Sequence, residues 1–227
     1  MTSSAPRSNW QAPQQRVVIP EWLDELPPEH PDAQASRRDL IRINQLMGNY
    51  RFIRRHLIRV ARPGDVCVEL GAGGGQLANS LQPAEVACPV TGLDLAPRPH
   101  SWPTDWDWQQ QDIFHSTTLA KAEIVVASLI LHHFETEALQ TLGTELTRNA
   151  RVLIITEPLR ASYAHFLGHF MDLTGINRVT RHDLHVSIDA GFHKGELPTL
   201  LGLTRDQWKI NESVDWRGSL RMLAYRV

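Results

Sequence analysis

The sequence predicts an α/β protein with a doubly wound seven-stranded sheet: five parallel strands, a C-terminal antiparallel hairpin and an N-terminal helical cap. Three observations predict it. An apolar run at residues 65–70 passes directly into Gly71-Ala72-Gly73-Gly74-Gly75 and then into a helix start, the order of a first strand, a ligand-binding turn and a crossover. Short apolar runs without polar alternation recur downstream, as parallel strands covered on both faces require. The last two runs, 208–213 and 220–227, are joined by residues 214–219, a connection short enough only for an antiparallel hairpin.

A chain of 227 residues with 42% hydrophobic content fits one such domain. Residues 1–16, rich in Ser, Pro, Gln and Ala, read as a disordered tail that buries too little apolar surface to offset its chain entropy. Residues 17–62 form the cap. Within it, 21–26 allow one helical turn stopped by Pro27-Pro28, and Ser36 reads as the N-cap of a helix from Arg37 that Gly48-Asn49 ends. A second helix carries Tyr50, Ile53, Leu57, Ile58 and Val60 inward, with Pro63-Gly64 as its stop. Eight arginines lie between positions 37 and 62 against Asp39 alone, read either as a solvated helix face or as an entrance that attracts an anion.

The core, 63–158, continues with a helix at 76–81, strands at 90–93, 106–110 and 124–128, a helix at 135–149 and a fifth strand at 152–156, the strands separated by crossovers. An insertion, 159–205, reads as a substrate lid with a helix at 181–190 opened by the capping box Thr180-Arg181-His182-Asp183. Residues 206–227 supply the hairpin that completes the sheet. Trp102, Trp106 and Trp108 read as core, with a wall of the site as the alternative.

A formal net charge of −2 argues against nucleic acid as partner. Two cysteines make no disulfide framework, and Cys67 lies within an apolar strand, so a reducing cytoplasm is expected. No apolar stretch approaches the length of a membrane span, and no signal core precedes the cap.

In an open parallel sheet, ligands bind beyond the carboxyl ends of the strands where strand order reverses, so residues following each strand are the candidates. After the first strand stands the glycine turn, whose backbone N–H groups can approach a ligand closely. A dinucleotide fingerprint would place a small residue at position 76, and this chain has Gln76. After the second strand comes Asp94, 19 residues past Gly75, able to accept both hydroxyls of a ribose. Gln111-Asp112-Ile113-Phe114 follows the third strand, and Ala127-Ser128-Leu129-Ile130-Leu131-His132-His133-Phe134 closes the fourth.

Glu69-x-Gly71-x-Gly73-x-Gly75 resembles the first motif of the class I S-adenosylmethionine (SAM)-dependent methyltransferases. Leu131-His132-His133-Phe134 resembles the small-molecule branch that includes the quinone-biosynthesis C-methyltransferases. The likeness covers about residues 64–158 and 206–227. It implies SAM as cofactor, held by Glu69, Gly71, Ala72, Gly73, Gly75, Asp94, Leu95, Asp112, Ile113 and Ser128, with Asp112 on the adenine amine and Ile113 over the ring. The chain lacks the Asn/Asp-Pro-Pro-aromatic segment of amino-group methyltransferases and the Pro-Cys pair of cytosine-5 enzymes.

His132 or His133 is expected to be the general base, since an imidazole of pKa about 6.5 is available unprotonated to take a proton from a hydroxyl. Asn44, Tyr163, His165, His169, Arg181 and His182 are the expected contacts to a small, aromatic hydroxyl or quinol-like acceptor, beside Phe166, Phe170, Met171 and Leu173. No metal is assigned, because the chain has no cysteine cluster and no His-Glu-x-x-His spacing. An NAD(P)-dependent oxidoreductase and a non-catalytic SAM-binding protein are the alternatives.

Overall fold

The computed structural model describes residues 11–81, 83–172 and 174–227. Eight helices, α1 (Trp22–Glu25), α2 (Pro31–Met47), α3 (Asn49–Val60), α4 (Gln76–Ser80), α5 (Thr136–Asn149), α6 (Ser162–Asp172), α7 (Arg178–Ala190) and α8 (Glu196–Leu200), are described. They surround seven strands: β1 (Cys67–Leu70), β2 (Val90–Asp94), β3 (Trp108–Gln110), β4 (Ile124–Ser128), β5 (Val152–Pro158), β6 (Trp208–Asp215) and β7 (Ser219–Arg226). The sheet order is β3-β2-β1-β4-β5-β7-β6. The first five strands run parallel, and β7 lies antiparallel between β5 and β6. The expected architecture is the observed one.

Both faces of the sheet are covered, as its uninterrupted apolar strands require. One core gathers Val68, Leu70, Val125, Leu153 and Met222 under Leu139, Leu142 and Leu146 of α5 and Leu197 of α8. The other gathers Cys67, Val90, Ile124 and Ile154 under Ile53 and Leu57 of α3 and Leu77 and Ala78 of α4. Strand order reverses between β1 and β4, so their carboxyl ends flank a crevice, and α7 packs against α1, α2 and the turn that follows β4.

Several boundaries differ from the sequence reading. Helix α2 begins six residues early, because Pro31 fits the first helical position and the His30 ring accepts a hydrogen bond from Asp32 N. Ser36 is therefore not a cap but a buried mid-helix hydroxyl that accepts from Thr180 Oγ1 at 3.0 Å. Helix α7 likewise starts at Arg178, capped by Asn177 Oδ1 on Val179 N, not by Thr180. Asp183 caps a different helix: its carboxylate accepts Trp22 N at 2.9 Å and Leu23 N at 3.0 Å.

No helix crosses between β2 and β3. The tryptophans belong to the core: Trp102 and Trp106 are buried, and Trp102 Nε1 donates to the carbonyls of Trp106 and Asp107. The first ten residues of the expected tail, and Leu173 of the lid, lie outside the described residues. Residues 11–16, expected to be disordered, are tied to the body from both sides, by the buried Arg160 and by their own half-buried Arg16. Arg160 donates to the carbonyls of Pro13 and Gln14, and Arg16 donates to those of Ala190, His132 and Phe134.

Candidate active site

The crevice has two halves. The first is the glycine loop between β1 and α4. Gly71, Gly73 and Gly75 hold φ of 61°, 53° and 73°, the left-handed region that a side chain rarely adopts. A Cβ on Gly71 would lie 2.6 Å from Ile130 Cγ1, so this glycine admits the loop after β4. A Cβ on Gly73 would meet nothing nearer than 3.9 Å, which leaves this part of the loop open to a ligand.

Asp94, at the end of β2, ties the loop to its own strand: Oδ2 accepts Gly73 N and Oδ1 accepts Ala96 N, each at 2.7 Å. Behind the loop, Glu69 is 4% exposed, and its Oε2 has no hydrogen-bond partner among the described residues. Burial, reinforced by the Asp94 charge, pushes its carboxyl up to about 8, so it is protonated at neutral pH.

A cavity of about 570 Å³ opens beside the loop, between Asn44, Gly48 and Tyr50 at the α2–α3 junction and Gly74, Gln76 and Asn79 at the start of α4. Asn44 is fixed by a buried chain in which Ser219 Oγ donates to Asn49 Oδ1 and Asn49 Nδ2 donates to Asn44 Oδ1. Burial holds the Tyr50 phenol well above its ordinary pKa.

Asp112 caps the turn Ile113–His115 through Phe114 N, with Ile113 buried beneath it. Leu95 is exposed, and Ser128 Oγ shares a hydrogen bond with Thr156 Oγ1 at 3.1 Å. Leu129 has φ 54°, alone among the described non-glycine residues in taking a positive value. Backbone strain of this kind collects at functional turns.

The second half is built on the turn Leu131–His133 after β4. Glu157, fully buried at the end of β5, accepts Ile130 N at 3.0 Å and Leu131 N at 2.8 Å, and its Oε2 lies 2.8 Å from His132 Nδ1. On the other side of the ring, His132 Nε2 is 3.6 Å from Glu21 Oε1. Burial works against a charged ring, but the two carboxylates outweigh it and carry His132 up to about 9. His133 lies nearer the surface, its Nδ1 3.8 Å from Asp24 Oδ2. Burial and the neighbouring His132 charge hold it below its ordinary value.

Glu21 is anchored by the Ser187 hydroxyl of α7, and His182 stacks on Trp22 at 3.7 Å between ring centroids while facing Asp183. Of the lid residues expected to touch an acceptor, His182 joins this cluster. His165 bonds His185 and Asp189, His169 packs on His185, Tyr163 OH donates to Asp215 O, and Arg181 is exposed.

Glu157 and Glu21 escaped the sequence reading. The first stands just past the strand expected at 152–156 and inside the observed β5, where the rule used for the other strands applies equally. For the second there is no signal, since it meets His132 from 111 positions away.

No protein-family model matches the chain, and no curated protein matches it. Solved structures do. The plantazolicin methyltransferase BpumL, in complex with SAH and a pentazolic desmethylPZN analog, superposes with a TM-score of 0.63 at 13% identity, covering 86% of this chain and 91% of that one. The methyltransferase domain of bacterial CtHen1-C gives 0.56 at 13% identity, covering 79% and 98%. The magnesium protoporphyrin IX methyltransferase ChlM from Synechocystis PCC 6803, with bound SAH, gives 0.50 at 15% identity, covering 90% and 91%. At such identities the likeness is one of fold, and the fold of this chain is that of the class I methyltransferases.

Proposed function

We propose that the protein is a SAM-dependent methyltransferase acting on a small molecule, an aromatic hydroxyl or quinol-like compound. The observation that carries the cofactor is Glu69, a buried carboxyl with an unpartnered oxygen behind an open glycine loop. An unpaired buried polar atom is costly, and the ammonium of a methionine moiety is the partner that would satisfy it. Asp94 keeps lone pairs for the two ribose hydroxyls, and Asp112 and Ile113 would take the adenine amine and ring. Bound there, SAM supplies an electrophilic methyl on a positively charged sulfur.

The chain's own contribution is alignment and a route for the proton. His132 has both ring nitrogens turned to carboxylates and serves to hold the turn. His133 stays neutral and partly open, and it takes the proton from the acceptor hydroxyl. His182 and Trp22 supply a flat apolar wall for a ring. The two cysteines are buried and unpaired, which suits a reducing cytoplasm. No helix of the described residues is long and apolar enough to cross a membrane.

Calorimetric titration tests the cofactor. SAM and SAH are expected to bind and NADH not to, and Asp94→Ala should weaken SAM more than about tenfold by removing charge-assisted hydrogen bonds of roughly 1.5–3 kcal/mol each. Unchanged SAM affinity in that variant sinks the assignment. His133→Ala should lower kcat by about 10²–10⁴ with SAM affinity intact. Full activity in that variant would place the base elsewhere.

A further inference from the structure

We propose that Glu21, His132 and His133 bind a divalent transition-metal cation at the carboxyl ends of β4 and β5. One ligand atom from each lies within 4.8 Å of the other two, and no other group of three His, Cys, Asp or Glu is so gathered among the described residues. That spread suits two imidazole nitrogens and a carboxylate oxygen at about 2.0–2.2 Å from one ion. The 3.6 Å between His132 Nε2 and Glu21 Oε1 is too long for a hydrogen bond and fits two ligands on a common centre.

The surroundings of His132 are those of a ligand. Glu157 Oε2 engages Nδ1 at 2.8 Å, which fixes the ring with Nε2 toward Glu21, where a bound cation would take the place of the Nε2 proton. A carboxylate behind an imidazole is the usual support of a metal-bound histidine. Glu157 is itself immobilised by the N–H groups of Ile130 and Leu131. Glu21 is held from the other side by Ser187, so α1, α7 and the β4 turn each contribute one fixed edge.

Two buried carboxylates, Glu21 and Glu157, flank one ring, and a divalent ion would balance them both. Two imidazoles and a single carboxylate favour Zn²⁺, Co²⁺, Mn²⁺ or Fe²⁺ over Mg²⁺ or Ca²⁺, and three protein ligands leave a position for an incoming oxygen.

The use of the ion rests on the methyl-transfer reading; its binding does not. In the ion-free chain His133 takes the proton as above, whereas in the ion-loaded chain it would be a ligand. On the loaded protein an acceptor hydroxyl coordinated to the ion would release its proton to water, the O–H bond breaking as the metal–oxygen bond forms.

Co²⁺ titrated into the purified full chain, followed by visible absorption and calorimetry, tests the site, with Zn²⁺ as competitor. About one ion per chain is expected, with ligand-field bands that Zn²⁺ abolishes. Glu21→Gln and His133→Ala should each weaken Co²⁺ at least tenfold, Glu157→Gln about 10–100-fold, and His193→Ala, on an exposed loop, not at all. Circular dichroism identifies any variant that fails to fold, and the folded ones decide. Absence of saturable binding, or binding that survives both Glu21→Gln and His133→Ala, overturns the proposal. SAM titrated into the same preparations separates the two readings. SAM bound without Co²⁺ removes the ion alone, whereas Co²⁺ bound without SAM leaves the ion and removes the methyltransferase.

Discussion

The two halves of the crevice are built from different materials. On the β1–β2 side a ligand would meet main-chain N–H groups, three glycines at positive φ and two acids, Glu69 and Asp94, all within residues 69–95. On the β4–β5 side it would meet side chains, contributed by residues 21, 133 and 182 around a histidine clamped by Glu157. A backbone site is a local property, because glycine spacing alone sets where the N–H groups point. A side-chain site is a property of the assembled fold, and each member depends on an element that must first be brought there. The halves touch at Ile130, which packs on Gly71 while its N–H bonds Glu157.

The largest test of that separation is Glu157→Ala. It would leave the buried His132 Nδ1 without its partner and the N–H groups of Ile130 and Leu131 without an acceptor. Breaking a buried pair by removing one side costs about 3–5 kcal/mol, and the midpoint of denaturant unfolding should fall accordingly. If the halves are independent, SAM affinity in the folded fraction stays within about threefold, the usual additivity of separate sites. A parallel collapse of SAM affinity would mean that Ile130 couples them into one unit.

The same division explains what could be read in advance. The strand–glycine–helix unit and the terminal hairpin were legible because each signal is local: Cys67 to Leu70 are all buried, and three glycines do take positive φ. The histidine pair was legible as a pair, since it follows a strand end. Its electrostatics were not, because they arise from Glu157 and Glu21. Ser36 and Thr180 misled for a related reason. Both have the chemistry of helix caps, and both were drawn into a buried contact between α2 and α7 instead. His30 just before a proline at the first helical position, and Asn177 just before α7, were the caps that won.

A pH series sharpens the comparison from the cofactor side. The Glu69 carboxyl titrates at about 8 in the folded protein against an ordinary value of 4.5. Between those values the folded state binds the proton more strongly than the unfolded chain. Stability therefore falls as pH rises through that window, by at most about 1.4 kcal/mol per pH unit, and levels off above it. Ligand binding should run the other way. A SAM ammonium selects the ionised carboxylate, so affinity should rise up to about tenfold per pH unit and flatten near pH 8. Glu69→Gln should remove both slopes. A SAM affinity independent of pH between 6 and 8 would show that the ammonium lies elsewhere.

The smallest expected effect concerns Arg16, which belongs to the acceptor half alone. Its guanidinium donates to Ala190 O at 2.8 Å and to the carbonyls of His132 and Phe134 at 3.0 Å each, and it lies 4.4 Å over the Phe192 ring. It thus pins the histidine turn to the end of α7 without touching the glycine loop. Arg16→Ala removes charge-assisted hydrogen bonds at a partly exposed position, and a loss of about 1–3 kcal/mol is expected. The loss should be local. Hydrogen exchange at the amides of residues 131–134 should quicken, while those of 71–75 keep their protection and SAM binds as before. Faster exchange at both loops would mean that an arginine on one side steadies the backbone cradle on the other, and the crevice would then have to be treated as a single site.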